Sequence, residues 1–136
     1  MPLPLLPNVV DLTKEALLAQ TPLTALVSTR VYDRIPTSPT FPLLVVTSVD
    51  EAESPEPAIG EARVQVDVWG KLLSELGAQT QARLITRTLQ SVVRDLRGTW
   101  TAGHIVNSAH LNTIPQPDPD SGRTRFIVDL QINSQS

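Results

Sequence analysis

Two histidines and a few aspartates are the residues of this chain whose chemistry has to be considered first. His104 and His110 share one parity of a strand-like segment and lie roughly 20 Å apart, so they cannot bind the same metal ion. Either histidine could act as a general acid or base if Asp67 or Asp129 lay opposite it. The plainer interpretation is two surface histidines on a polar sheet face.

Patterns typical of other reaction centres are missing from the sequence. The chain has no cysteine, which excludes a thiolate nucleophile, a disulfide and a cysteine-bound metal. No G-x-S-x-G turn marks a serine nucleophile, and GEARVQVDVWGK (60–71) lacks the spacing and the hydroxyl of a phosphate-binding loop. Asp118 and Asp120 resemble a calcium loop only in part, because the final glutamate is missing. The sequence therefore predicts no enzyme, no metal and no cofactor.

Composition limits the class of protein. The 136 residues are enough for one domain, and apolar residues reach 40% while charged residues reach 18%, as in a soluble globular protein. A net charge of −3 gives no indication of nucleic acid or an anionic membrane as a partner. No apolar run approaches the ~18 residues that a membrane-spanning helix needs.

Hydrophobic periodicity predicts the helices and strands that would position the polar residues. Prolines and glycines mark their boundaries, and Asn8 is a candidate helix cap. The predicted elements are helices over about 9–20, 22–27 and 74–97 (capped by Ser74), and strands over about 41–49, 62–69, 103–114 and 123–132. This order predicts a single α+β domain over 1–136. Its α-β-β-α-β-β arrangement is a four-stranded, largely antiparallel sheet with helices packed on one face. Flexible loops are expected at about 50–61 and 115–122, where prolines and like charges collect.

The strand over 62–69 has one apolar and one polar face, because side chains alternate with period 2. The inward row is Ala62, Val64, Val66 and Val68, and the outward row is Arg63, Gln65, Asp67 and Trp69. The outward row is a candidate subunit interface or channel surface. Trp69 has two open interpretations: it anchors a subunit contact, where aromatic residues are enriched, or it covers its own sheet edge.

Two charged features of opposite sign complete the set of candidates. The segment 50–61 has five acids, among them Glu51, Glu53 and Glu56, and no base; Arg83, Arg87 and Arg94 lie on one side of the long helix. Each is either a solvated surface or half of a complementary contact between subunits. Three arginines in an acidic protein make a short track for DNA phosphates, which argues against DNA binding.

The order and spacing of several segments resemble the tail-terminator (tail-completion) proteins of long-tailed double-stranded DNA bacteriophages. Together the segments span nearly the whole chain. They are LPNVVDL (6–12), LTALVSTRVYDRIP (23–36), PLLVVTSV (42–49), ARVQVDVWG (62–70) and PDPDSGRTRFIVDLQI (117–132).

The resemblance implies an assembly role. Such proteins form a hexameric ring on the head-proximal end of the tail tube, stop its polymerisation and provide the surface that joins the neck. The implied partners are further copies of the chain, the major tail tube protein and a neck or head-completion protein. DNA would meet the ring only in passage through its channel. The implied location is the virion, with the host cytoplasm as the place of assembly.

Two alternatives remain open at this point. A head-completion or neck connector protein also forms rings and lies one layer away in the virion. From a different class, a small ligand-binding or enzymatic domain could use the polar sheet face as the floor of a pocket.

Overall fold

The computed structural model describes residues 8–55 and 58–135 as a largely antiparallel sheet covered by helices. The helices are α1 (Val9–Leu18), α2 (Thr21–Val27) and α3 (Ala78–Val92), the last continued by a 3₁₀ turn over Val93–Leu96. The strands are β1 (Val31–Tyr32), β2 (Leu43–Pro55), β3 (Ala58–Leu72), β4 (Gly98–Trp100), β5 (Gly103–Pro115) and β6 (Arg123–Gln135).

The sheet runs in the order β1-β2-β3-β6-β5-β4, and every neighbouring pair is antiparallel except β1 and β2. Helix α3 packs on the two central strands β3 and β6, and α1 packs on the β1 and β2 side. The α+β class and the placement of the helices on one sheet face, as predicted from periodicity, are confirmed.

The core confirms the predicted inward row of β3. Val64, Val66 and Val68 are fully buried, and they share one cluster with apolar residues of all three helices. On β6 the alternate residues Thr124, Phe126, Val128, Leu130 and Ile132 are buried as well. A slip of one residue would move this whole set to the other face, so burial fixes the register.

The predicted four-stranded sheet is wrong in number, since the described residues form six strands. Val31 and Tyr32 pair with Leu44 and Val45 of β2, and β4 pairs with the first residues of β5. These additions have two and three residues. Such segments are too short to show the alternation by which strands are recognised in a sequence.

The loop predicted over 50–61 is wrong for residues 50–55 and 58–61, which belong to the long paired strands β2 and β3. Their pairing extends to Pro55 and Ala58, and the far end of β3 pairs on its other side with β6 as far as Gln135. Acids and prolines suggested a loop, but a neighbouring strand supplies backbone partners whatever the side chains are. Glu56 lies outside the described residues, so the prediction for its side chain is not addressed.

Three further boundaries bear on the sequence predictions. Helix α3 begins at Ala78 after Gly77, whose φ of +76° suits glycine, so the predicted start and cap at Ser74 are wrong. The cap at Asn8 is confirmed, since its side-chain oxygen accepts from the backbone N–H groups of Val10 and Asp11 at 3.0 and 3.2 Å. The chain between Pro115 and Arg123 connects β5 to β6 outside both strands, and the flexibility expected at 115–122 stays a prediction.

Candidate functional site

The outward row of β3 is paired within the chain. Asp67 is buried, and its carboxylate accepts from Arg125 Nη2 at 2.6 Å and from Gln65 Nε2 at 2.8 Å. Residues 65 and 67 of β3 lie beside 129 and 127 of β6, so the network crosses two central strands. The charge of Asp67 is therefore satisfied inside the subunit.

A second ion pair extends this polar face. Arg63 Nη2 donates to Asp129 Oδ2 at 3.0 Å, with the arginine side chain 51% exposed and the aspartate side chain 8% exposed. The arginine therefore covers the carboxylate from the solvent side and keeps much of its own surface free. Of the two charged residues in the predicted outward row, Arg63 is the one whose side chain is exposed enough to contact a partner.

Arginines also stack on the aromatic rings of this face. The guanidinium carbon of Arg125 lies 4.8 Å from the centroid of the Trp69 ring, and that of Arg123 lies 3.6 Å from the centroid of the Phe41 ring. Both distances are typical of cation–π contacts. Trp69 thus has an intramolecular partner on the adjacent strand and is only partly buried by it.

The histidines are not brought to the carboxylates. His104 Nδ1 lies 2.9 Å from Thr99 Oγ1, and His110 Nε2 lies 2.7 Å from Thr113 Oγ1. Strand β5 is separated from β3 by β6, and Asp129 pairs with an arginine. The hypothetical acid–base pair is therefore not formed. Within residues 8–55 and 58–135, no three histidine, aspartate or glutamate side chains are grouped to hold a metal ion.

Three arginines, two on α3 and one on the 3₁₀ turn that follows it, line a groove beside strand β5. Arg83 and Arg87 are exposed beside a cavity of about 430 Å³ that reaches Thr113 on β5. Further along, Arg94 lines a second cavity of about 310 Å³ next to Ser108. Sequence reasoning identified the arginines but missed the adjoining strand, since pairing partners across a sheet are not encoded in local periodicity.

The acidic and basic candidates lie at opposite sides of the sheet. Glu51 and Glu53 are on β2, whereas the arginine groove follows β5, and β3 and β6 stand between these two strands. We call the acidic residues at the far end of β2 and β3 the acidic hairpin. In this fold the acidic hairpin of one chain can contact these arginines only on a second copy of the chain.

Exposed apolar side chains on β5 are a feature that the sequence reasoning did not single out. Val106, Leu111 and Ile114 are each about half exposed. The sequence does mark this segment, because residues 106–115 contain no aspartate, glutamate, lysine or arginine. None of the helices in the described part of the chain is long and apolar enough to cross a membrane.

The fold recurs in a phage-like particle. A solved structure described as "Virion of native gene transfer agent (GTA) particle" superposes with a TM-score of 0.73 and 16% sequence identity. The match covers 91% of this chain and 92% of that chain. Similarity at this level of identity shows a shared fold.

The family is shown by sequence. Residues 14–133 match the family model "Tail completion protein gp17", and the chain belongs to this family. It is thus a structural protein of a phage tail, in a family of structural proteins rather than enzymes. A comparison with curated proteins finds no significant match.

Proposed function

We propose that this chain forms a hexameric ring at the head-proximal end of the tail tube, where it stops polymerisation and provides the surface that joins the neck of the head. The observation that carries the proposal is membership of the tail completion family over residues 14–133. The partners are then other copies of the chain, the tail tube protein and a neck protein, with DNA passing through the channel.

The distribution of charge supports a ring. A closed ring with rotational symmetry uses two different surfaces of each subunit, which must complement each other. The acidic hairpin on β2 and the groove with Arg83, Arg87 and Arg94 beside β5 have opposite sign and lie at opposite sides of one sheet. Neighbouring copies in a ring can therefore bring the two together at every interface.

The polar face of β3 and β6 has a narrower role in this proposal. Asp67 and Gln65 are occupied by their own network, so Arg63 and the free part of Trp69 are left to face a neighbour or the channel. Their contribution is to orient the partner, since the buried charges are already neutralised.

Electron microscopy of particles made without this chain tests the proposal. We expect tails of irregular, mostly excessive length that are not attached to heads, and recovery of uniform tails when the chain is supplied from a plasmid. Tails of normal length that are merely detached from heads would assign the chain to the neck instead. Normal tails attached to heads would contradict both assignments.

A further inference from the structure

Among the described residues, β2 and β5 each lack a strand partner on their outer side over most of their length. Strand β1 pairs only with Leu44 and Val45, so within the described chain residues 46–55 of β2 have a strand partner on the β3 side alone. Strand β4 pairs only with residues 103–105, so residues 106–115 of β5 likewise have a strand partner on the β6 side alone. Free backbone groups along such edges accept an added strand.

The two edges differ in charge. Residues 106–115 contain no aspartate, glutamate, lysine or arginine and expose Val106, Leu111 and Ile114. Charged residues are one of the devices that protect a free edge from pairing, and residues 106–115 lack these four residue types. Residues 46–55 instead contain Asp50, Glu51 and Glu53, so two copies of this edge would repel each other.

The surroundings of the β5 edge favour an acidic partner. Arg94 lies beside Ser108, and Arg83 and Arg87 lie beside Thr113, so arginines follow the edge along its helix side. An acidic strand added to β5 would be placed next to these side chains. The free edge of β2, residues 46–55, is acidic and is as long as the free edge of β5, residues 106–115, so it fits this position.

Strand direction is compatible with the same pairing. The chain passes from β2 to β5 through three antiparallel pairings, so β2 and β5 run in opposite directions within one sheet. A second copy placed alongside in the same orientation would bring its β2 antiparallel to β5 of the first. Bulges interrupt β2 near Val49 and β5 near Val106 and Leu111. Bulges bend strands, as a sheet that closes around an axis requires.

We propose that the sheet continues from copy to copy, with residues 46–55 of one subunit paired antiparallel to residues 106–115 of the next. This inference rests on the proposed ring and specifies its interface. The occupant of each edge is a second copy of this chain. Because the two edges of a subunit are different, the contact is heterologous and can repeat around the rotational axis of the proposed ring.

Cysteine cross-linking of assembled tails tests the pairing, because the native chain contains no cysteine. Val49 and Leu111 are each 50% exposed, one on each edge. With a short bismaleimide, tails carrying Val49→Cys and Leu111→Cys in the same chain should give a ladder of covalent oligomers that ends at the hexamer. Each single variant should remain monomeric on a denaturing gel, and a mixture of the two should give dimers.

Two results of this experiment would overturn the proposal. Dimers from Leu111→Cys alone would indicate a twofold contact between β5 edges. Absence of any ladder from the double variant, in tails of normal length that contain the protein, would show that the edges do not meet.

A pair of charge variants supplies an independent readout. Val106→Glu with Leu111→Glu would place carboxylates against the acidic edge of the neighbour, so tail completion should be lost, whereas Val106→Lys with Leu111→Lys should retain it. Thermal melting of both purified variants checks that they are folded. Equal activity of the glutamate and lysine variants would contradict the pairing.

The two proposals can fail separately. A covalent ladder from particles in which the protein is found away from the tail end would retain the sheet contact and reject the terminator role. Correct tail termination without cross-links, and with an active glutamate variant, would retain the role and reject the contact.

Discussion

Arg125 donates a 2.6 Å hydrogen bond to Asp67 on the adjacent strand and lies over the ring of Trp69, with its guanidinium carbon 4.8 Å from the ring centroid. One side chain thus satisfies a buried carboxylate and covers an aromatic residue of the same sheet face. The polar face is in large part closed by its own contacts. Assembly contacts are therefore better sought at the sheet edges and along α3.

The first prediction concerns this pair. Arg125→Met removes the charge that balances Asp67, which is only 7% exposed, so the free energy of unfolding should fall by about 1–3 kcal/mol. The exposed Arg83→Met is the matched control and should change stability by about 0.5 kcal/mol or less. Urea denaturation of the purified variants measures both values.

A double variant separates the ion pair from simple packing. Asp67→Asn combined with Arg125→Met removes the buried charge together with its partner, so part of the lost stability should return. If the loss of unfolding free energy in the double variant equals the sum of the losses in the two single variants, the ion pair itself contributes nothing to stability.

The second prediction concerns Gly70, where β3 passes close to β6. A Cβ at this position would overlap Thr124 Oγ1 and lie 3.6 Å from Ala82 Cβ. Since Thr124 is buried, Gly70→Ala should destabilise the chain by about 1–3 kcal/mol through overpacking. Thr124→Ala in the same chain removes the overlapping oxygen and should reduce the cost of the added methyl group. No such recovery in chemical denaturation would show that the overlap is relieved in another way.

The third prediction concerns pH. The Glu15 carboxylate of α1 accepts from the backbone N–H groups of Ala102 and Thr101 at 2.9 and 2.5 Å, and these bonds hold its pKa below the ordinary 4.5. A lowered folded-state pKa adds stability that is present above pH 4.5 and is lost as pH falls through the lowered value. Glu15→Gln should thus lower the melting temperature at pH 7, by an amount that shrinks towards pH 3. A difference that is independent of pH would contradict the role of the charge.

The fourth prediction concerns the arginine groove. Arg83→Glu with Arg87→Glu should weaken ring formation most at low salt and leave the melting temperature of the monomer unchanged, because both side chains are exposed. Exposed ion pairs contribute roughly 0–1 kcal/mol each, so the effect is on encounter and orientation more than on affinity. Sedimentation of assemblies at two ionic strengths measures it. Normal assembly at low salt would make these arginines a solvated helix face.

The sequence predicted the elements whose burial repeats regularly. Val64, Val66 and Val68 alternate cleanly, and the apolar positions of α3 recur at helical spacing, so both faces and the α+β class were accessible from pattern alone. The short strands β1 and β4 were not accessible. Strand β1 pairs with residues more than ten positions further along the chain. Strand β4 pairs over three residues, which are too few to show an alternation of apolar and polar side chains.

The sequence predicts individual residues of the candidate site but not the contacts between them. Arg63, Asp67 and Trp69 were assigned to one face correctly, but their partners Asp129 and Arg125 depend on the pairing of β3 with β6. Composition predicts a loop over the acidic segment 50–61, whereas residues 50–55 and 58–61 pair along strands β2 and β3. Tertiary pairing decided each of these outcomes.

Cryo-electron microscopy of purified tails tests the central claim most directly, because it locates the chain and counts its copies. The proposed function predicts a single hexameric ring of this protein at the head-proximal end of the tube. Copies repeated along the tube, or a ring located within the head, would contradict it.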